Sequence, residues 1–263
     1  MNKTNIEWVK NPDGTQGFTW NPITGCLNGC EYCYARKLAN TRLKELYLAN
    51  LNVSEIGNRP RLTDPFYPRF WEDKIEQPIK QKKPAGIFVC NMGELFGESI
   101  PDQWTHSVLN FIEACPQHRF YLLTKQPQNL IKFSPFSDNA WVGVSATNQE
   151  QLFDALAGLS IINARVKFIS FEPLLEGMNE VDDKRLAFIK AVGINWLIIG
   201  AQTKPAVYPK IEWVREIVKA ADAAGIPVFL KDNLRQMIAI YPYKDVQWAW
   251  VDNGVNLRQE MPV

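Results

Sequence analysis

Three of the chain's five cysteines, Cys26, Cys30 and Cys33, fall within the stretch TWNPITGCLNGCEYCYA, in the spacing C-x3-C-x2-C. Thiolates converging from one short loop suit a soft metal centre. A helix would spread residues at these gaps around its axis, whereas Gly25, Asn28 and Gly29 let the backbone curl inward. Two centres match such a loop. A closed zinc site needs a fourth Cys or His, and the candidates Cys90, Cys115, His106 and His118 stand far along the chain, none in a second paired motif. A four-iron cluster with three protein ligands leaves one iron open to an outside ligand. Three unconnected buried thiols are the third alternative.

Such a loop has to be held by a scaffold, and the rest of the chain predicts one. Short apolar, β-branched or aromatic runs occur at GIFVCN (86–91), RFYLLTK (119–125), WVGVS (141–145), VKFISFE (166–172), WLIIGA (196–201) and VFLKD (228–232). Their starts lie roughly 20–35 residues apart, the length of a strand–helix unit. Each is apolar nearly throughout, as in a parallel sheet covered on both faces. Helices are predicted between them: 101–115, opening with Pro and Asp; a segment with Thr147 and Glu150 at capping-box spacing; and 210–227, stopping at Gly225. Repeated β-α units give an α/β fold, either a parallel barrel or an open doubly wound sheet. GFTWN, just before the cysteines, is the predicted first strand.

In a parallel barrel the chemistry gathers where strands end. The ends here carry Cys90, Asn91 and Glu94; Thr124 and Lys125; Ser145, Thr147 and Asn148; Ser170 and Glu172; and Lys231 with Asn233. Lys125, Glu172 and Lys231 each follow an apolar run, so each is a substrate or cofactor ligand or else half of an ion pair. Cys90 is either a hydrogen-atom donor facing a cavity or a small buried apolar residue. His106, His118 and Cys115 are expected to be structural, and Trp248 and Trp250 to pack.

Composition adds bounds. The 263 residues are 46% hydrophobic and 22% charged, enough for a core without disulfides. A net charge of +1 disfavours broad phosphate binding and favours a nucleotide-sized substrate. The basic run ARKLANTRLK (35–44) reads as a solvated helix face. No apolar run is long enough to span a membrane. The opening MNKTNIEWVKNPDG lacks the apolar core of a secretory signal, so a cytoplasmic location and no membrane partner are expected.

The C-x3-C-x2-C loop resembles that of the radical S-adenosylmethionine (SAM) superfamily, with Tyr32 at the aromatic position before the last cysteine. The longer pattern TWNPITGC…C…CYA resembles a phage-encoded family with a three-cysteine motif and largely unassigned function, itself distantly similar to spore photoproduct lyase. FVCNMGELF, LLTK, GVSATNQ, ISFEPLL and WLIIGAQT are similar to its successive strand ends, so the resemblance covers about residues 18–235. It implies a partial parallel (β/α)6-7 barrel of radical SAM type within a single domain, 1–263. The core would be 17–235, with an insertion at 50–84 over the barrel mouth and a C-terminal extension at 236–263.

The cofactors implied are a [4Fe-4S] cluster on Cys26, Cys30 and Cys33, and S-adenosyl-L-methionine. Tyr32 would lie near adenine. Met92, Gly93 and Glu94 resemble the Gly-Gly-Glu element that holds the methionyl ammonium, with Met in place of the first Gly. Ser145 resembles a position that binds the ribose or carboxylate, and Asn148 is grouped with it. Cys90, Lys125, Glu172 and Lys231 are the catalytic candidates. The implied activity is cleavage of SAM to a 5′-deoxyadenosyl radical that abstracts hydrogen from substrate. The expected substrate is a modified, thymine-type nucleobase in phage DNA or a nucleotide, with electrons from a donor such as flavodoxin or ferredoxin. The alternatives are a small metabolite or peptide substrate, or a non-catalytic zinc or iron–sulfur module serving a partner protein.

Overall fold

A computed structural model describes residues 1–56, 62–178 and 189–262. Residues 57–61 of the expected insertion and 179–188 of the expected core lie outside the described residues.

Eight strands form one sheet: β1 (Asn2–Lys3), β2 (Phe18–Trp20), β3 (Gly86–Val89), β4 (Arg119–Thr124), β5 (Ala140–Ser145), β6 (Val166–Phe171), β7 (Ile194–Ile199) and β8 (Val228–Leu230). They neighbour one another strictly in chain order. β2 and β3, β3 and β4, β6 and β7, and β7 and β8 pair parallel, while β1 adds antiparallel to β2. Sequential order is the winding of a β/α barrel; in a doubly wound sheet the order would reverse partway. The expected α/β class with a mostly parallel sheet is borne out. β3 and β5 are buried along their whole length, which is why their sequences do not alternate.

The helices stand where capping and periodicity place them, with one correction. α1 (Tyr34–Ala39) follows the cysteines directly. α2 (Asp102–Glu113) begins after Pro101 and buries Thr105, Val108 and Ile112 on one face. α4 (Ile211–Ala224) buries Ile211, Val214, Ile217, Val218 and Ala221 and stops at Gly225, whose φ of 71° only glycine adopts without strain. The correction concerns α3 (Gln149–Ser160). Its cap is Asn148, whose side chain accepts from the Gln151 amide, rather than Thr147 paired with Glu150. Gln151 reaches back to accept from the Thr147 amide and hydroxyl, so the reciprocal cap is shifted by one residue.

The chain divides into two compact units, residues 1–142 with 163–165, and residues 143–162 with 166–263. In the first, Trp8 packs between Phe88 and Tyr121, with ring centroids at 4.8 and 5.5 Å. In the second, the C-terminal segment closes the open edge of β8. The Leu230 amide donates to Arg258, the Glu260 amide donates to Val228, and the Trp196 indole donates to the Glu260 carbonyl. An uncovered edge strand invites pairing with another chain, and here the tail occupies it. Trp248 and Trp250 lie under Arg215 and Arg235. No helix among the described residues is long and apolar enough to cross a membrane.

Candidate functional site

The cysteine loop leaves β2 through Asn21–Pro22 and a two-residue strand, Ile23–Thr24, which pairs antiparallel with Arg69–Phe70. It then meets the end of β3. The Gly25 amide donates to the Met92 carbonyl at 3.0 Å, and the Glu94 amide donates to the Gly25 carbonyl at 3.1 Å. Gly25 and Gly93 face each other as a parallel bridge. A Cβ on Gly93 would stand 3.0 Å from Gly25 backbone atoms, and one on Gly25 would stand 2.5 Å from the Tyr67 carbonyl oxygen. Glycine at position 25 is therefore a packing requirement, and a Cβ at position 93 fits only if the Gly25 backbone gives way. The C-x3-C-x2-C loop and the Met92–Glu94 turn are joined by main-chain atoms.

All three thiols are free and half-buried. Cys33 caps α1, and its Sγ accepts from the Arg36 amide at 3.3 Å; the Cys26 Sγ accepts from the Asn28 amide at 3.4 Å. Burial first, then the charge of Glu94, pushes the Cys26 thiol up to about 12, so a cation is needed to hold it as thiolate. Among the described residues no three Cys, His, Asp or Glu side chains converge as the ligands of one metal ion. A four-iron cluster does not ask for that, since each thiolate takes a different iron. Three thiolates from one loop are the donor set of such a cluster, whereas a closed zinc site needs a fourth Cys or His. His118 is committed elsewhere, its ring nitrogens meeting the Ala85 amide and the Pro78 carbonyl.

Met92 stands where the resemblance has glycine, and its side chain turns into an apolar cluster with Ala35, Ala39, Tyr47, Phe66 and Trp71, against which Cys26 and Cys33 pack. Glu94 is buried and accepts from the Phe96 and Lys125 amides at 3.1 and 3.2 Å. Burial raises its pKa, with the Thr124 hydroxyl and the two amides opposing. The Lys125 ammonium lies 5.5 Å from the Tyr32 ring centroid. Cys26, Cys30, Cys33, Tyr32, Met92, Gly93, Glu94 and Lys125 thus belong to one unit.

Cys90 is buried at the end of β3 with φ of 55°, its amide bonded to the Trp20 carbonyl. Burial pushes its thiol up to about 12, against a hydrogen bond from Ile23. In the second unit Glu172 and Lys231 pair with each other rather than standing alone. The Asn233 side chain beside them brackets Ala201, accepting from its amide and donating to its carbonyl. A Cβ on Gly200 would strike Lys231 at 2.9 Å and approach Glu172 at 3.3 Å, so that glycine makes room for the pair. Ser145 is buried at the end of β5, and Asn148 is spent as the cap of α3.

Several residues of the site carry no motif. Asn21 accepts from the Met92 amide and donates to Asn91, and the Tyr34 hydroxyl donates to the Asn91 carbonyl. Arg36 is not the solvated charge expected of the basic run: it donates to the Cys26 carbonyl at 2.7 Å and covers Phe66. Arg69 is fully buried and donates to the carbonyls of Asn50, Leu62, Asp64 and Tyr67, folding that segment against the loop. The one signal was an arginine inside a proline- and aromatic-rich stretch, DPFYPRFW.

Residues 3–238 match the model of a family described as protein of unknown function (DUF5131). No curated protein matches the sequence. Among solved structures, a cysteine-to-alanine mutant of spore photoproduct lyase with dinucleoside spore photoproduct is 13% identical with a TM-score of 0.52. Spore photoproduct lyase complexed with the dinucleoside is 12% identical with a TM-score of 0.51, and a cysteine-to-serine mutant is 13% identical with a TM-score of 0.51. Each covers 84% of this chain and 77% of the other. At this identity the likeness is one of fold, and the chain shares the fold of that enzyme.

Proposed function

The chain belongs to the DUF5131 family of proteins of unknown function, and for it we propose the chemistry of a radical SAM enzyme acting on a nucleobase. One observation carries the reading. A three-thiol loop is fastened by main-chain bonds to the Met92–Glu94 turn, within a fold shared with spore photoproduct lyase. A binding module has no need of that second loop.

Cys26, Cys30 and Cys33 would each hold one iron of a [4Fe-4S] cluster, leaving the fourth for the amino and carboxyl groups of SAM. When bound, cluster and SAM together supply one electron and then a 5′-deoxyadenosyl radical able to take hydrogen from a C–H bond. The chain's own role is placement and exclusion of water. The Asn28 and Arg36 amides hold two of the sulfurs. The Gly93–Glu94 turn offers main-chain atoms and a buried carboxylate to an ammonium, and Tyr32 with Lys125 offers a ring and a cation to adenine and carboxylate. The segment 62–71, pinned by Arg69, covers Cys26. Cys90 is the proposed hydrogen-atom donor, a thiol kept protonated by burial. In the second unit the Glu172–Lys231 pair is proposed to open to a substrate group, and Ser145 offers a hydroxyl.

The substrate proposed is a modified, thymine-type nucleobase in phage DNA or in a nucleotide. It is supported by the dinucleoside bound in the solved lyase of like fold. Electrons would come from a flavodoxin or ferredoxin. The test is anaerobic: reconstitute with iron and sulfide, reduce with dithionite, add SAM and assay 5′-deoxyadenosine against Cys30→Ala. Product from the wild type alone is the expected result. Zinc in place of iron, or a reduced four-iron protein that makes no deoxyadenosine with or without thymine dinucleosides, would overturn it.

A further inference from the structure

We propose that Arg36 and Asp64 form an opposed charge pair that sets the reduction potential of the cluster on Cys26, Cys30 and Cys33, an inference that rests on the reading just given. The pair belongs to a closed circuit of contacts around Cys26. The Arg36 guanidinium donates to the Cys26 carbonyl at 2.7 Å, and the Cys26 amide donates to the Phe66 carbonyl at 3.0 Å. The Phe66 amide donates to the Asp64 Oδ1 at 2.8 Å, and the Asp64 Oδ2 lies 3.7 Å from the Arg36 Nη1. The guanidinium also lies 4.9 Å from the centroid of the Phe66 ring. Its own backbone amide donates to the Cys33 Sγ. Arg36 therefore contacts two of the three cysteines, and Asp64 is the carboxylate that opposes it.

The charge argument follows from what reduction does. One electron enters the oxidised cluster from an external one-electron donor, no bond forms or breaks, and the cluster becomes one unit more negative. A fixed cation bonded to a ligand residue stabilises that state, and a fixed anion beside the cation offsets part of it. Side-chain exposures of 33% for Arg36 and 22% for Asp64 leave both partly screened, so the effect is moderate rather than dominant. Both are positioning residues, since neither side chain is itself a ligand.

The two charges predict shifts of opposite sign. Arg36→Gln keeps an amide donor for the Cys26 carbonyl but removes the cation. It should lower the ratio of reduced to oxidised cluster about tenfold at a fixed potential, about 59 mV for one electron. Asp64→Asn keeps an oxygen for the Phe66 amide but removes the anion, and should raise that ratio several-fold. Arg36→Lys should stay close to wild type. The readout is potentiometric titration of the reconstituted protein followed by the electron paramagnetic resonance of the reduced cluster, without SAM and without turnover. Opposite shifts at wild-type iron content support the proposal. Shifts of the same sign, no shift, or equal loss of iron from both variants would make the circuit a mechanical clasp and overturn it. A wild-type protein that takes up no four-iron cluster would instead overturn the enzyme reading, so the two failures can be told apart.

Discussion

The loop–turn crossing can be tested with two glycines of the same loop. Gly25 and Gly29 both have positive φ, 91° and 71°, yet their surroundings differ. A Cβ on Gly29 meets nothing within 4 Å, whereas one on Gly25 would press to 2.5 Å on the Tyr67 carbonyl oxygen and 2.8 Å on that of Phe66. Gly29→Ala should cost only the left-handed backbone penalty, about 1 kcal/mol. Gly25→Ala carries the same penalty and must also push apart the backbone segments that meet there. Three bonds are at stake: Gly25 to Met92, Glu94 to Gly25, and Cys26 to Phe66. At about 1 kcal/mol net for each, the total comes to about 4 kcal/mol. For a chain of this size that is a fall in melting temperature of about 10 °C, against about 3 °C for Gly29→Ala. Thermal unfolding of the two apo variants beside wild type is the assay, with iron uptake as a second readout. Equal shifts would refute the view that main-chain contact at Gly25 holds the loop to the turn.

Three further outcomes are expected. Cys30→Ala should lose most reconstituted iron and its charge-transfer absorbance while unfolding close to wild type, because Cys30 is half-buried and outside the apolar cluster. Burial raises the Glu94 pKa above its ordinary 4.5, so the folded apo protein holds this proton more tightly than the unfolded chain. That contribution is full below the ordinary value and is lost as pH rises through the raised one, and Glu94→Gln should flatten that portion of the profile of urea midpoints. Removing residues 256–263 takes away the bonds from Leu230 to Arg258, Glu260 to Val228 and Trp196 to Glu260. A loss of about 3 kcal/mol by denaturant titration should follow, with concentration-dependent association in light scattering as the edge of β8 is bared.

The strands from β2 to β8 were legible because each is a short apolar run bounded by polar residues, while β1, the exposed pair Asn2–Lys3, carries no such signal. The ends of α2 and α4 were legible from Pro101 and Gly225. The cap of α3 was misplaced by one residue because TNQEQ offers two reciprocal caps, Thr147 with Glu150 and Asn148 with Gln151, and spacing cannot rank them. The cysteines announce themselves by type and spacing. What encloses them does not. Asn21, Arg36, Asp64 and Arg69 act through carbonyls and amides of residues distant in the chain, and a side chain aimed at a backbone atom leaves no pattern of partner residues to read. The choice for Glu172 and Lys231 between ligand and ion pair likewise needed their proximity, which a separation of 59 residues conceals.

The main-chain crossing at Gly25 and Gly93 also bears on how such a site can drift. Bonds between backbone atoms are blind to the identity of neighbouring side chains. The bonds from Gly25 to Met92 and from Glu94 to Gly25 involve no side chain of either loop. Met92 is an instance: its side chain joins the apolar cluster while its carbonyl accepts from Gly25. The contact between the two loops is thus carried by main-chain atoms at Gly25, Met92 and Glu94, with Asn21 as the side chain that also holds the turn.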